Sequence, residues 1–307
     1  MYDDTFFKQR KVLVTGASGF IGSHLCERLG GLGAVVHGVS RKQRNNGAVS
    51  RWWQAELDDE TATRQLVKTI APDIIFHLAS FVSGKREIEY VLPAMRSNLL
   101  STVNLLISTT EYGCPKLVLT GSLEEMEGDA ATSTPSSPYA AAKGAASAYA
   151  RMFYTLYRTP VVTARLFMVY GPNQKDRTKL VPYVALSLLR GQLPQLMSGT
   201  REVDWIYVDD VIDAYLSLAS KEGIDGETVD EGSGELNSVR RVVDHLADII
   251  EPDMRPDFGS LEDRPCERVR VADTGQAYDL IGWQPKTPLV KGLKQTVDWY
   301  RNHMADT

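Results

Sequence analysis

Short apolar runs alternate with segments of helical periodicity along the first half of the chain. The apolar runs, which predict buried strands, cover residues 11–15, 34–39, 73–77, 116–120 and 161–166. The segments with apolar side chains at helical spacing cover residues 20–29, 61–70, 98–110 and 138–157. This alternation predicts an α/β fold, in which helices cover both faces of a doubly wound parallel sheet.

The alternation loosens after Gly171-Pro172. Helical patterns recur at residues 180–190, 209–220, 239–250 and 288–303, a strand is predicted at 204–208, and residues 251–273 have an irregular pattern. We therefore predict a larger domain at residues 8–172 and a smaller lobe at residues 173–307. Residues 203–222 are predicted to return to the larger domain.

Composition excludes several classes of protein. The 307 residues have a formal net charge of −5 and no basic stripe, which argues against nucleic-acid binding. No apolar run approaches the length of a membrane span, and the first ten residues lack the apolar region of a signal peptide. Cys26, Cys114 and Cys266 are scattered, which predicts reduced thiols in a cytoplasmic protein and no metal site.

A glycine-rich turn follows the first predicted strand and opens the first predicted helix. Glycines three residues apart allow a sharp turn and close approach to a pyrophosphate, while the helix N-terminus supplies N–H donors. A tight turn with close helix packing is the structural alternative. The contacts predicted for a dinucleotide are Gly16, Ser18, Gly19, Phe20, Ile21 and Gly22.

The end of the second predicted strand indicates which dinucleotide binds. A carboxylate at this position holds the ribose hydroxyls of NAD, whereas an arginine accommodates the 2′-phosphate of NADP. Ser40 and Arg41 occupy it, with Lys42 and Arg44 close behind. The sequence therefore favours NADP(H) over NAD(H), and a solvated basic loop is the alternative.

Two segments match the pattern Tyr-x-x-x-Lys. Tyr112 and Lys116 enclose a glycine and a proline, so they cannot share a regular helix. Tyr139 and Lys143 lie in an alanine-rich helical segment, where positions i and i+4 share a face. Only the second pair is predicted to act together, although two exposed residues on an amphipathic helix would show the same pattern.

The second pair predicts proton transfer. A phenol has a pKa near 10, and we expect the Lys143 ammonium, together with a positive nicotinamide, to lower the pKa of Tyr139. Ser122 follows a predicted strand and is placed to hydrogen-bond a reacting oxygen, with Thr120 as the fallback. Lys143 is also expected to bind the nicotinamide ribose.

Together these residues resemble the extended short-chain dehydrogenase/reductase family, in its nucleotide-sugar-modifying branch. The resemblance covers nearly the whole chain and rests on residues 15–22, 77–79, 98, 122, 139–143, 165–172, 204–210 and 280–285. It implies a Rossmann-type domain, a bound NAD(P) and a nucleoside-diphosphate sugar substrate. It also implies a homodimer built from the helices at residues 98–110 and 139–157.

The resemblance also implies roles for single residues. It assigns catalysis to Ser122, Tyr139 and Lys143, and adds Glu56, Leu57, Leu78 and Ala79 to the cofactor contacts. The predicted substrate contacts are Ser83, Ser122, Met168, Val181, Arg201 and Arg264. Met168 replaces an asparagine of the family, and Val203 stands where the family has a phosphate-binding arginine, which leaves Arg201 as the substitute.

The reaction is inferred from departures within the family. Dehydratases place an Asp-Glu pair directly after the catalytic hydroxyl, but Leu123 follows Ser122 here, and Glu124 and Glu125 are expected in a solvated loop. The Ser40-Arg41 pair favours an exchangeable NADPH. Residues 79–93 and 167–172 resemble the 4-ketoreductases of deoxysugar pathways. The resemblance therefore implies NADPH-dependent reduction of the C4 keto group of a nucleoside-diphosphate 4-keto-6-deoxyhexose in deoxysugar biosynthesis. A 4-epimerase, a dehydratase and a catalytically silent cofactor sensor remain alternatives.

Overall fold

A computed structural model describes residues 3–44, 47–125, 134–262 and 269–304. The chain forms two compact units. The first comprises Met1–Leu166, Ile212–Asp230 and Gln276–Trp283, and the second comprises Phe167–Val211, Glu231–Gly275 and Gln284–Thr307.

Ten strands are described. They are β1 (Lys11–Thr15), β2 (Val35–Ser40), β3 (Arg51–Gln54), β4 (Ile74–His77), β5 (Leu117–Ser122), β6 (Val161–Leu166), β7 (Met168–Tyr170), β8 (Glu202–Tyr207), β9 (Thr228–Glu231) and β10 (Leu236–Ser238). Seven of them form one sheet in the order β3-β2-β1-β4-β5-β6-β9, and β10, β8 and β7 form a second. Every pair among the first six strands is parallel. The α/β fold predicted from the alternation is confirmed.

The described helices follow the sequence pattern closely. They are α1 (Phe20–Gly31), α2 (Glu60–Ile70), α3 (Val91–Ala94), α4 (Ser101–Tyr112), α5 (Pro138–Tyr157), α6 (Leu180–Leu189), α7 (Val208–Ser220), α8 (Val239–Ile250), α9 (Thr274–Ile281) and α10 (Leu289–Asn302). A π-helical segment, Met95–Leu100, joins α3 to α4. In the described part of the chain, none of these helices is long and apolar enough to cross a membrane.

The core of the first unit explains why these elements form. The β1 residues Val12, Leu13 and Val14 are fully buried because helices cover both faces of the parallel sheet. One cluster combines Leu13 and Ile75 from the strands with Leu105 from α4. This packing fixes the carboxyl ends of the strands, where α/β sheets bind their ligands.

Candidate active site

The turn between β1 and α1 requires two of its glycines. Gly16 has φ +69°, and a Cβ there would lie 2.7 Å from the Ala79 backbone nitrogen. A Cβ on Gly22 would lie 2.2 Å from the Gly16 carbonyl oxygen. The turn therefore lets α1 begin directly against the end of the sheet, with its N–H groups directed outward for an anion.

A cavity of about 850 Å³ opens at this turn. Its lining includes the predicted cofactor residues Gly16, Ser18, Gly19, Ser40, Arg41, Glu56, Leu57, Leu78 and Ala79. The predicted residues outside its lining are Phe20, Ile21, Gly22, Tyr139 and Lys143. Its lining also contains Val39, Lys42, Arg44, Ala55, Asp58, Ser80, Phe81, Ser97 and Ser101. The volume, the helix N-terminus and the cations fit a dinucleotide.

The part of the cavity after β2 is basic and open. Arg41, Lys42 and Arg44 line it and are exposed. The Ser40 hydroxyl accepts a hydrogen bond from the Lys42 backbone nitrogen at 3.3 Å, and Gln54 donates to the Arg41 carbonyl oxygen at 3.1 Å. These contacts fix the backbone and leave the three cationic side chains facing solvent.

Helix α5 presents one continuous face to the end of β5. It begins after Ser137, whose hydroxyl accepts from the Ala140 backbone nitrogen at 3.2 Å. Pro138, at the first helical position, has the φ that this turn needs. Tyr139, Lys143 and Ser147 then follow at intervals of four residues and lie on the same face.

The Tyr139 phenol hydrogen-bonds Ser122. Burial raises the pKa of Tyr139 to about 12, with smaller raising contributions from Glu125 and Glu124. In the protein alone this pKa is therefore raised, and the lowering expected beside a bound nicotinamide stays a prediction. Desolvation outweighs the hydrogen bond from Ser122, and the phenol is neutral at pH 7.

Lys143 is buried and hydrogen-bonds the end of β5, while its expected contact with a nicotinamide ribose stays a prediction. Its Nζ donates to the Thr120 carbonyl oxygen at 2.7 Å, and the side chain is 4% exposed. Burial lowers the pKa of Lys143 to about 8, and the negative charge of Glu125 opposes this shift. The ammonium thus titrates close to neutral pH.

Glu125 lies in a different environment from the solvated loop that the sequence analysis favoured over a functional role. It is 5% exposed, so the expected solvated loop is wrong at this position. Its Oε1 accepts from the Ser122 backbone nitrogen at 2.7 Å, and its Oε2 accepts from the Ser147 hydroxyl at 2.8 Å. Burial raises the pKa of Glu125. Glu124 is placed differently, because its carboxylate accepts from the Ser136 hydroxyl at 3.1 Å.

Two further buried side chains organise the loop after β4. His77 bonds the Thr15 hydroxyl through Nδ1 at 2.7 Å and the Thr102 hydroxyl through Nε2 at 3.1 Å. Burial lowers the pKa of His77 to about 3. Asn98, in the π-helical segment, accepts from the Phe81 backbone nitrogen at 2.7 Å. These contacts fix the cavity wall that follows Ala79.

The other Tyr-x-x-x-Lys segment has no shared face. Tyr112 ends α4, and Gly113 follows in the left-handed conformation with φ +69°. Lys116 instead pairs with Asp225 at 2.6 Å. Among the described residues, no group of three or more His, Cys, Asp or Glu side chains is placed to bind a metal ion.

The predicted substrate residues are distributed over both units. Ser83 lies in the first unit, outside the cavity lining, and its hydroxyl accepts from the Lys85 backbone nitrogen at 3.3 Å. Met168 lies on β7, Val181 is buried on α6, and Arg201 directly precedes β8. Arg264 lies outside the described residues. Substrate contact by these residues stays a prediction.

Three comparisons with known proteins agree with this geometry. The family model described as the NAD dependent epimerase/dehydratase family matches residues 12–230. UDP-glucose 4-epimerase of Mycolicibacterium smegmatis is 30% identical over 95% of this chain and 99% of its own length. dTDP-D-glucose 4,6-dehydratase of Bos taurus is 27% identical over 98% of this chain and 90% of its own. The structure of UDP-glucose 4-epimerase with UDP-glucose from Thermotoga maritima has a TM-score of 0.87 and 27% identity, covering 96% of this chain and 99% of that chain.

Proposed function

Because this chain belongs to the NAD dependent epimerase/dehydratase family, in its nucleotide-sugar branch, we propose that it reduces the C4 keto group of a nucleoside-diphosphate 4-keto-6-deoxyhexose with NADPH. The observation that carries the proposal is the cationic edge of the cavity, which Arg41, Lys42 and Arg44 line. Ser40 and Arg41 stand where a carboxylate would hold the ribose hydroxyls of NAD. An arginine there binds a 2′-phosphate, and NADPH is the cofactor typical of net reduction.

Different residues are proposed to bind different parts of NADPH. Gly16 and Gly19 allow the pyrophosphate to approach the N-terminus of α1. Arg41, assisted by Lys42 and Arg44, would pair with the 2′-phosphate. Lys143, which lies outside the cavity lining, would orient the nicotinamide ribose. When bound, the cofactor supplies the hydride.

The chain's own residues complete the reduction by moving one proton. Tyr139 is neutral at pH 7 because its pKa is about 12, so it donates the phenolic proton to the C4 oxygen as general acid. Ser122, which hydrogen-bonds Tyr139, also polarises the carbonyl. One hydride and one proton convert the ketone into a carbinol, and solvent returns the proton to Tyr139.

The substrate residues of the proposal recognise the two ends of the nucleotide sugar. Ser83 is the contact proposed for the sugar in the first unit, and contact by Met168 and Val181 rests on the family resemblance alone. Arg201 and Arg264 neutralise the diphosphate, for which a guanidinium is suited by charge and geometry. The product would be a nucleoside-diphosphate deoxysugar.

The test follows NADPH absorbance, with NADH in parallel, after addition of dTDP- or UDP-4-keto-6-deoxyglucose. We expect stoichiometric loss of the NADPH signal, abolished in Tyr139→Phe and retained in Tyr112→Phe, the matched control from the second Tyr-x-x-x-Lys segment. No NADPH oxidation with either nucleotide would contradict the proposal.

A 4-epimerase is the second candidate, favoured by the 30% identity to the mycobacterial UDP-glucose 4-epimerase. An epimerase reuses its cofactor, so the purified protein would carry NAD and interconvert UDP-glucose and its C4 epimer. A dehydratase is less favoured because Leu123 stands directly after Ser122. A silent cofactor sensor has no need of the proton donor Tyr139.

We further propose a homodimer formed through α5 and the segment from α3 to α4. Both expose large apolar side chains, among them Leu92, Met95, Tyr149 and Leu156. Light scattering is expected to give twice the chain mass for the native protein and for Leu193→Glu, an exposed leucine elsewhere. Leu156→Glu is expected to give monomers, and an unchanged mass for this variant would contradict the interface.

A further inference from the structure

Three residues of α5, spaced four positions apart on one face, hydrogen-bond residues at or just after the end of β5. Tyr139 hydrogen-bonds Ser122, Lys143 donates to the Thr120 carbonyl oxygen at 2.7 Å, and Ser147 donates to Glu125 at 2.8 Å. The first two ties involve groups of the proposed reaction. The third involves a buried carboxylate that the reaction does not use.

Two hydrogen bonds and the space beside Gly121 hold the Glu125 carboxylate in place. One carboxylate oxygen accepts from the Ser122 backbone nitrogen and the other from Ser147. A Cβ on Gly121 would lie 2.8 Å from Glu125 Oε1, so the absence of a side chain at Gly121 makes room for the carboxylate. The same side chain therefore fixes the backbone of Ser122 and the third turn of the catalytic helix.

The charges around Glu125 explain what its negative charge does. Lys143 and Tyr139 face it from α5, Glu124 precedes it, and Arg165 approaches from β6. Arg165 forms its own ion pair with Asp230 at 2.5 Å. The Lys143 ammonium is buried and bonds a neutral carbonyl oxygen. Among the described residues, the Glu125 carboxylate supplies negative charge that opposes the cost of burying that ammonium.

We propose that Glu125 is a positioning residue, which locks Ser122 to α5 and supplies the negative charge that stabilises the buried Lys143 ammonium. The inference rests on the proposed function only in taking Ser122, Tyr139 and Lys143 as the reacting groups. It requires no contact between Glu125 and the substrate.

The test measures the titration of Lys143 directly. In full-length protein labelled with [ε-¹³C]lysine, the Lys143 signal is assigned by its loss in Lys143→Met, and its shift is followed against pH. Glu125→Gln, which keeps the shape and removes the charge, is expected to lower the midpoint by about one pKa unit or more. An unchanged midpoint in a folded Glu125→Gln protein would overturn the proposal.

Two variants separate charge from general disruption. Asp225→Asn removes the carboxylate that pairs with Lys116, a different lysine. It is expected to leave the midpoint of the Lys143 titration unchanged. Ser147→Ala removes one tie and keeps the charge, so it should move the midpoint much less than Glu125→Gln. Equal shifts in all three variants would assign the effect to loosened packing and contradict the charge role.

The Glu125→Asp variant and the pH dependence of kcat provide two further tests. If Glu125→Gln does not fold, Glu125→Asp retains the charge but is one methylene too short to span Ser122 and Ser147. We expect lower kcat with a near-native Lys143 midpoint, and a midpoint lowered by a full unit would contradict the proposal. Where NADPH oxidation is measurable, the alkaline limb of kcat should move with the Lys143 midpoint. If no oxidation occurs, the reductase proposal fails while the Lys143 titration still tests Glu125.

Discussion

The β2 end of the cavity and the β5–α5 cluster differ in how their charges are placed. Arg41, Lys42 and Arg44 are exposed, whereas Lys143 and Glu125 are 4% and 5% exposed and make hydrogen bonds to neighbouring groups. Exposed charges are screened by water and salt, while buried ones act through a low local dielectric. We therefore expect single substitutions in the first region to change cofactor binding modestly, and single substitutions in the second region to change activity strongly.

The largest expected effect comes from Tyr139 in the buried cluster. Tyr139→Phe removes the proton donor and keeps the ring, so kcat should fall about 10²–10⁴-fold. Steady-state NADPH oxidation measures this loss, and circular dichroism confirms the fold. Near-native turnover in this variant would contradict the expectation that the β5–α5 cluster depends strongly on single groups.

His77 gives the buried region a distinctive dependence on pH. Its folded pKa, about 3, lies below the unfolded value of 6.5 because burial disfavours the charged ring. The stability it contributes is therefore present above pH 6.5 and is lost as pH falls toward 3. We expect His77→Gln to reduce the loss in unfolding free energy between pH 7.5 and 4.5, measured by urea denaturation. His303→Gln at the end of α10 is the control, and an equal change there would contradict the assignment.

Substitution in the turn between β1 and α1 should have an effect of intermediate size. Gly22→Ala places a methyl group 2.2 Å from the Gly16 carbonyl oxygen, so we expect a loss of about 1–3 kcal/mol in unfolding free energy and weaker NADPH binding. Gly31→Ala in the same helix is the matched control, because a Cβ there meets nothing within 4 Å. Equal stability of the two variants would show that the turn tolerates a side chain.

The exposed region should give the smallest effect. Arg41→Ala is expected to weaken NADPH binding about tenfold, equivalent to ~1.4 kcal/mol, and to leave NADH binding unchanged. Fluorescence titration with both cofactors measures the difference, which should shrink at high salt. If the substitution weakens NADPH and NADH binding equally, Arg41 does not bind the 2′-phosphate.

Most of the fold could be predicted because apolar periodicity reports burial directly. The structure has α5, β6 and α8 at the bounds that periodicity predicts, 138–157, 161–166 and 239–250. The edge strand β3 was missed because Arg51 and Gln54 are exposed, Trp52 and Trp53 are half-buried, and the four residues show no alternation. The predicted helix at 98–110 also misplaced its start, since the π-helical segment begins at Met95.

The site was less predictable because its energetics depend on burial. Two consecutive glutamates after a strand are typical of a solvated loop, yet Glu125 is buried where Gly121 makes room. The signals that would have found it are this strand glycine and Ser147, one helical turn beyond Lys143. The sequence shows the cation next to Tyr139, but it does not show the desolvation that raises the pKa of Tyr139 in the protein alone.

Net reduction by an exchangeable cofactor can be distinguished from epimerisation by following a labelled hydride. The protein would be incubated with C4-deuterated NADPH, in the stereoisomer that delivers the label, and a nucleoside-diphosphate 4-keto-6-deoxyhexose, and the product examined by mass spectrometry and NMR. The account predicts one deuterium at C4 of the sugar and none with Tyr139→Phe. An epimerised nucleotide sugar without deuterium, formed by protein that already carries NAD, would contradict it.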